Sequence, residues 1–119
     1  MKKTLIIGAS PNSDRYAFKA TEMLTEYNHP IYAFGLKPGK INNVEIQTIW
    51  PNTNDFDTVT LYVSPQNQTD YMDKIVALKP KRVIFNPGTE NNEFEKLLRK
   101  NNIEPLEACT LVLLRTNQF

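Results

Sequence analysis

Five short apolar runs recur along the chain at intervals of about 25 residues, and that spacing constrains the fold more than any other feature. They are Leu5–Gly8, Ile31–Phe34, Val59–Val63, Val83–Phe85 and a weaker one around Leu106–Cys109. Helical patterns separate them. Between the first two, Tyr16, Ala20, Met23, Leu24 and Tyr27 fall on one helical face, with Lys19, Glu22 and Glu26 turned away. After the third, Ser64-Pro65 reads as an N-cap followed by proline at the first helical position. Tyr71, Met72, Ile75 and Val76 then supply an apolar face, which Lys79-Pro80 terminates. After the fourth, Asn91 or Asn92 caps a helix with Glu93 and Glu95 in its first turn and Arg99 and Lys100 in its last. Both ends complement the macrodipole, and Phe94, Leu97 and Leu98 form the buried stripe.

Strand, helix, strand repeated in this way predicts an α/β fold: a Rossmann-like, doubly wound parallel sheet of about five strands with helices on both faces. The expected order of the runs is 3-2-1-4-5. Residues 38–57 break the rhythm. Pro38, Gly39, Pro51 and several asparagines read as an irregular connection, with room for a short strand at Val44–Ile49. The tail, Thr110 to Phe119, is apolar, and its period leaves a strand, a short helix and a homodimer contact all open.

The chain of 119 residues is read as one domain, 1–119, long enough to bury a single core. Its 14 basic residues nearly balance 13 acidic ones, which argues against broad electrostatic binding to nucleic acid or to a membrane surface. No apolar run approaches the ~20 residues of a bilayer span, and the one behind Lys2-Lys3 is too short for a secretory signal. Cys109, the only cysteine, excludes an internal disulfide and suits a reducing cytoplasm.

In a doubly wound sheet ligands bind beyond the carboxyl ends of the strands, so the loops that follow the runs are the places to look. The first is Gly8-Ala9-Ser10-Pro11-Asn12, then Arg15. Here a strand hands over to a helix whose N-terminus attracts an anion. Gly8, without a Cβ, is expected to let a ligand approach the backbone, and Ser10 and Asn12 to bond a phosphate or cap the helix. Only Gly8 remains of the three-glycine dinucleotide fingerprint. The second loop is Gly35-Leu36-Lys37. An NAD site places Asp or Glu there to bond the ribose, so NAD is disfavoured. Lys37, with Lys40 near by, suits an extra ribose phosphate instead, which both coenzyme A and NADP carry. The third and fourth loops are Ser64-Pro65 and Asn86-Pro87-Gly88.

Few residues look catalytic. His29, the only histidine, reads as a solvated turn residue, and Cys109 as a small buried residue with no histidine to act as its base. Nothing has metal-ligand spacing, so neither a catalytic group nor a metal is expected.

The opening Leu5-Ile-Ile-Gly-Ala-Ser-Pro-Asn with Arg15, the Gly35-Leu-Lys-Pro turn, Tyr62-Val-Ser-Pro65, Val83-Ile-Phe-Asn-Pro-Gly-Thr-Glu-Asn91 and Glu107-Ala-Cys109 occur in an order that spans nearly the whole chain. In this the chain resembles the small stand-alone CoA-binding domain proteins, which are similar to the nucleotide-binding domain of the succinyl-CoA synthetase alpha subunit. The resemblance implies a non-catalytic module for coenzyme A or an acyl-CoA. It implies that Gly8, Ala9, Ser10 and Arg15 meet the phosphates, that Lys37 and its neighbours lie by the ribose, and that Ser64, Pro65, Asn86, Pro87 and Gly88 line the adenine and pantetheine side. Two turns depart from the family pattern: Gly35-Leu36-Lys37 stands where Asn-Pro-Lys is common, and Asn86-Pro87-Gly88 where Gln-Pro-Gly is. Two other readings stand beside it. One is an NADP-binding oxidoreductase-like domain, for which no general acid or base stands out. The other is a ligand-free interaction domain working as a homodimer through Leu111–Leu114.

Overall fold

The computed structural model describes residues 1–119. Its elements are β1 (Thr4–Ile7), α1 (Tyr16–Glu26), β2 (Ile31–Phe34), β3 (Gly39–Ile41), β4 (Val44–Ile46), β5 (Thr58–Leu61), α2 (Thr69–Leu78), β6 (Arg82–Phe85), α3 (Asn92–Lys100), β7 (Glu104–Glu107) and α4 (Thr110–Arg115). A five-stranded sheet runs in the order β2-β1-β5-β6-β7. Every pairing in it is parallel. The doubly wound α/β architecture expected from the spacing is present.

The order of the runs needs one correction. The run at 59–63 forms β5, which lies against β1 on the side away from β2, not beyond β2 as the order 3-2-1-4-5 has it. The position beyond β2 belongs to the supposedly irregular segment. There β3 and β4 pair as an antiparallel hairpin, and Gln47 makes a parallel bridge to Phe34. The Gln47 amide donates to Ala33 O at 2.8 Å and the Gly35 amide to Gln47 O at 3.0 Å. These bonds cover the outer edge of β2, which would otherwise present unpaired backbone groups to a passing strand.

Side chains alternate across the sheet with the strand period of two. Leu5, Ile7, Val59, Leu61, Val83 and Phe85 point to one face, where Ile75 and Leu78 of α2 and Phe94 and Leu98 of α3 cover them. Ile6 and Ala33 point to the other, beneath Leu24 of α1, Leu114 of α4 and Ile41 and Ile46 of the hairpin. Each fully buried side chain of this size contributes about 1.5–3 kcal/mol.

The helices begin and end largely as read. Asn91 Oδ1 accepts the Phe94 amide at 3.1 Å and caps α3, and Lys79 closes α2 in the left-handed region at φ 52°. On α1 the buried face is Ala17, Ala20, Thr21 and Leu24, while Tyr16 is 66% exposed. The stripe is rotated because α4 lies against α1 and needs small residues there. The apolar tail is a helix whose Leu111 and Leu114 are buried in the domain's own core, leaving Val112 half-exposed. No helix is long and apolar enough to cross a membrane.

Candidate functional site

The chain leaves β1 for β2 on one side and later returns to place β5 on the other. The helix after β1 therefore packs on one face of the sheet and the helix after β5 on the opposite face. Where their loops part, a crevice must open at the carboxyl rim. A cleft of about 1060 Å³ lies there, walled by the loops after β1, β2 and β5 and by the first turns of α1 and α2. A smaller cavity of about 230 Å³ adjoins it and shares Tyr16 and Tyr62 as walls.

Of the residues expected at the rim, Gly8, Ala9, Ser10, Arg15, Gly35, Lys37 and Ser64 line the large cleft. Asn86 and Pro87 line the small cavity. Asn12, Pro65 and Gly88 lie on neither wall. Lys40, in β3, also stands outside the cleft.

Several of these residues serve the fold rather than a ligand. Gly8 has φ 98°, and a Cβ there would sit 2.8 Å from Tyr62 O. At Gly35 a Cβ would sit 2.3 Å from Ala9 O. Both glycines are required by the chain's own close approach, not by room for a ligand. The amides that follow β1 are engaged as well. Gly8 and Ala9 N–H both donate to Phe34 O, at 3.0 and 2.9 Å. Ser10 Oγ accepts the Asn12 amide at 3.1 Å and Asn12 Oδ1 the Asp14 amide at 3.0 Å, so the two side chains shape the loop and neither caps the helix. The N-cap of α1 is Arg15, with no side-chain cap. The Ser10, Tyr16 and Ala17 amides have no acceptor in the chain, and they lie on the cleft wall.

Asn86 is also structural. It is buried, its Nδ2 donates to Thr60 Oγ1 at 2.7 Å and Leu61 O at 2.8 Å, and its Oδ1 accepts the Thr110 amide at 2.9 Å. Those bonds tie the ends of β5 and β6 to the start of α4, and its amide has no donor left for a ligand. Ser64 is the N-cap of a single 3-10 turn, Pro65–Asn67, with proline at its start as expected. Its Oγ accepts Asn67 Nδ2 at 3.0 Å rather than a backbone amide.

What the cleft does present is two exposed cations, Arg15 and Lys37, neither in an ion pair, and the first turns of two helices. Each helix N-terminus carries about half a positive charge. Asp14 and Asp70 stand on the same wall and oppose them. At the far end Phe34 and Tyr71 meet edge to face with centroids 5.8 Å apart, and Trp50 stacks on the back of Tyr71 at 5.7 Å and 10°. This backing holds the Tyr71 ring as a rigid apolar wall.

Sequence reasoning missed Tyr62, Tyr71 and Gln68. The two tyrosines read only as strand-end and helix-stripe residues. Gln68 is fully buried, donates to Val63 O at 3.0 Å and Thr89 O at 2.7 Å and accepts from Asn91 Nδ2 at 3.0 Å. It pins together the loops behind the cleft, and a glutamine between two helical signals gives no local hint of that. His29 is not a solvated turn residue. It is half-buried, its ring lies 4.9 Å from Phe119, and its Nδ1 accepts the Lys2 amide at 3.1 Å. Burial and the nearby N-terminal and Lys2 charges hold its pKa below the ordinary histidine value. Cys109 is half-buried and lines the small cavity. No three His, Cys, Asp or Glu side chains cluster as metal ligands would.

A doubly wound parallel sheet with a cleft at its reversal point defines a Rossmann-like ligand-binding domain. The chain belongs to the CoA binding domain family, whose model matches residues 2–115. No curated protein sequence matches it. A solved structure described only as an uncharacterized protein is 50% identical, with a TM-score of 0.96 over 100% of this chain and 98% of that one. A hypothetical protein from Pyrococcus horikoshii OT3 is 22% identical, with a TM-score of 0.86 over 97% of this chain and 82% of that one. A protein from Thermus thermophilus is 19% identical, with a TM-score of 0.83 over 99% and 90% respectively. At such identities the last two speak for the fold alone.

Proposed function

We propose that this domain is a non-catalytic binding module for coenzyme A or an acyl-CoA. The observation that carries the proposal is the convergence of unpaired Arg15 and Lys37 on a cleft that also receives the first turns of α1 and α2. Arg15 and the unengaged Ser10, Tyr16 and Ala17 amides would hold the diphosphate, and Lys37 the 3′-phosphate of the ribose. Tyr71 and Phe34 offer the adenine an apolar wall. Each charge-assisted bond contributes a net ~1.5–3 kcal/mol. Two or three of them, with burial of the adenine, reach the ~8 kcal/mol of micromolar affinity. The cleft carries no histidine or cysteine, and no side chain on its wall has a general base within reach, so binding rather than catalysis is the reading the lining supports.

Thermal-shift and calorimetric titration with CoA, dephospho-CoA, NADP and ATP tests it. At 100 times its Kd a native-state ligand adds about 2.7 kcal/mol of stability. CoA is expected to give the largest shift, and dephospho-CoA a smaller one. A larger shift with NADP would move the reading to an oxidoreductase-like domain, and no shift with any of the four would remove it.

A further inference from the structure

The side cavity beside the cleft is lined by Tyr16, Tyr62, Asn86, Pro87, Cys109 and Leu111, and its walls are mostly apolar. It opens next to the cleft at Tyr16 and Tyr62, the two residues common to both. Its polar groups are accounted for except one. The Asn86 amide is saturated by Thr60, Leu61 and Thr110, and the Thr60 and Thr110 hydroxyls bond each other at 2.8 Å. Tyr62 Oη is buried beside those two hydroxyls and beside Cys109, yet has no hydrogen-bond partner. Burial pushes its pKa up to about 12, so the group remains a proton donor at any working pH. A buried donor without an acceptor is costly, and the pairing it lacks is a neutral carbonyl.

We propose that this cavity takes the acyl end of a short-chain coenzyme A thioester, with Tyr62 Oη donating to the thioester carbonyl. The inference rests on the CoA reading of the cleft and adds to it the preferred form of the ligand. Free CoA would bring only a thiol, a poor acceptor. At ~30 Å³ for each water-sized group, 230 Å³ holds on the order of seven or eight such groups. That is room for the thioester and an acyl chain of about two to four carbons, and too little for a medium-length chain. The apolar walls at Pro87 and Leu111 reward each methylene that enters.

Isothermal titration of the full chain with CoA, acetyl-CoA, butyryl-CoA and octanoyl-CoA tests the proposal. Affinity should rise about fourfold for each methylene between acetyl and butyryl and fall again at octanoyl. Tyr62→Phe should weaken the short acyl-CoAs by up to about tenfold, leave free CoA within about twofold and not lower the melting temperature of the free protein. Cys109→Leu, which fills the cavity from its wall, should abolish the advantage of butyryl-CoA while CoA still binds. The proposal is overturned if CoA binds and chain length makes no difference, or if Tyr62→Phe weakens CoA and acyl-CoA alike, because the hydroxyl then serves the pantetheine arm. If no CoA compound binds at all, the reading of the main cleft falls and this one falls with it.

Discussion

Gly8→Ala separates two roles for the first loop. The glycine stands at φ 98°, a conformation that costs an alanine about 1–2 kcal/mol. The added Cβ would also lie 2.8 Å from Tyr62 O and 3.0 Å from Tyr62 C, backbone atoms of the strand end alongside. Backbone cannot swing aside as a side chain can, so β1 and β5 would have to separate at their carboxyl ends. Overpacking of that kind costs about 1–3 kcal/mol. The combined penalty, about 2–5 kcal/mol, is a large part of the 5–15 kcal/mol typical of a domain this size. At roughly 4 °C for each kcal/mol, the melting temperature should fall by about 8–20 °C. Differential scanning calorimetry of the two proteins without ligand measures it. A Gly8→Ala variant that melts within about 2 °C of the parent yet no longer binds CoA would refute this reasoning, since the glycine would then be serving the ligand.

Three further outcomes are expected. Lys37→Ala should weaken CoA about tenfold or more while leaving dephospho-CoA and the melting temperature unchanged, because the side chain is exposed and unpaired; calorimetric titration reads both arms. Asn86→Ala should destabilise the free protein by about 3 kcal/mol in urea titration, since it strands the Thr110 amide and Leu61 carbonyl in the interior. Glu95 is buried on α3 with Oε2 unpartnered; burial first, then the neighbouring Glu107, raises its pKa above the ordinary 4.5, against the pull of Arg99 at 3.6 Å. The folded state thus holds its proton more tightly than the unfolded chain. Its contribution is fully present below 4.5 and is lost as the pH rises through the elevated folded value, so Glu95→Gln should melt higher than the parent at pH 7 and lose that pH dependence.

The central strands were legible because β1, β5 and β6 are buried on both faces and so read as unbroken apolar runs. The caps of α3 and the stop after α2 were legible because they depend on residues within one turn of each other. The order of the strands was not, because it depends on what fills the outer edge of β2. That place goes to a hairpin and to Gln47, which pair through backbone groups that every sequence possesses. The α1 stripe was misread for a related reason. Tyr16 satisfies the helical period, but its position at the first turn projects it over the rim instead of the sheet.

At the rim itself, fold and ligand compete for the same backbone. A glycine after a strand signals close approach, and nothing local says whether the approaching group is a phosphate or another strand. Here Tyr62 O stands against Gly8, Ala9 O against Gly35, and Phe34 O takes both amides that a phosphate would have used. Anion recognition is thereby displaced outward, to Ser10, to the first turn of α1 and to two long exposed cations. Such cations are screened by salt within a Debye length of about 8–10 Å, whereas buried amides are not. Affinity for a polyphosphate ligand should therefore fall more steeply with ionic strength here than in a domain whose glycine-rich loop leaves its amides open.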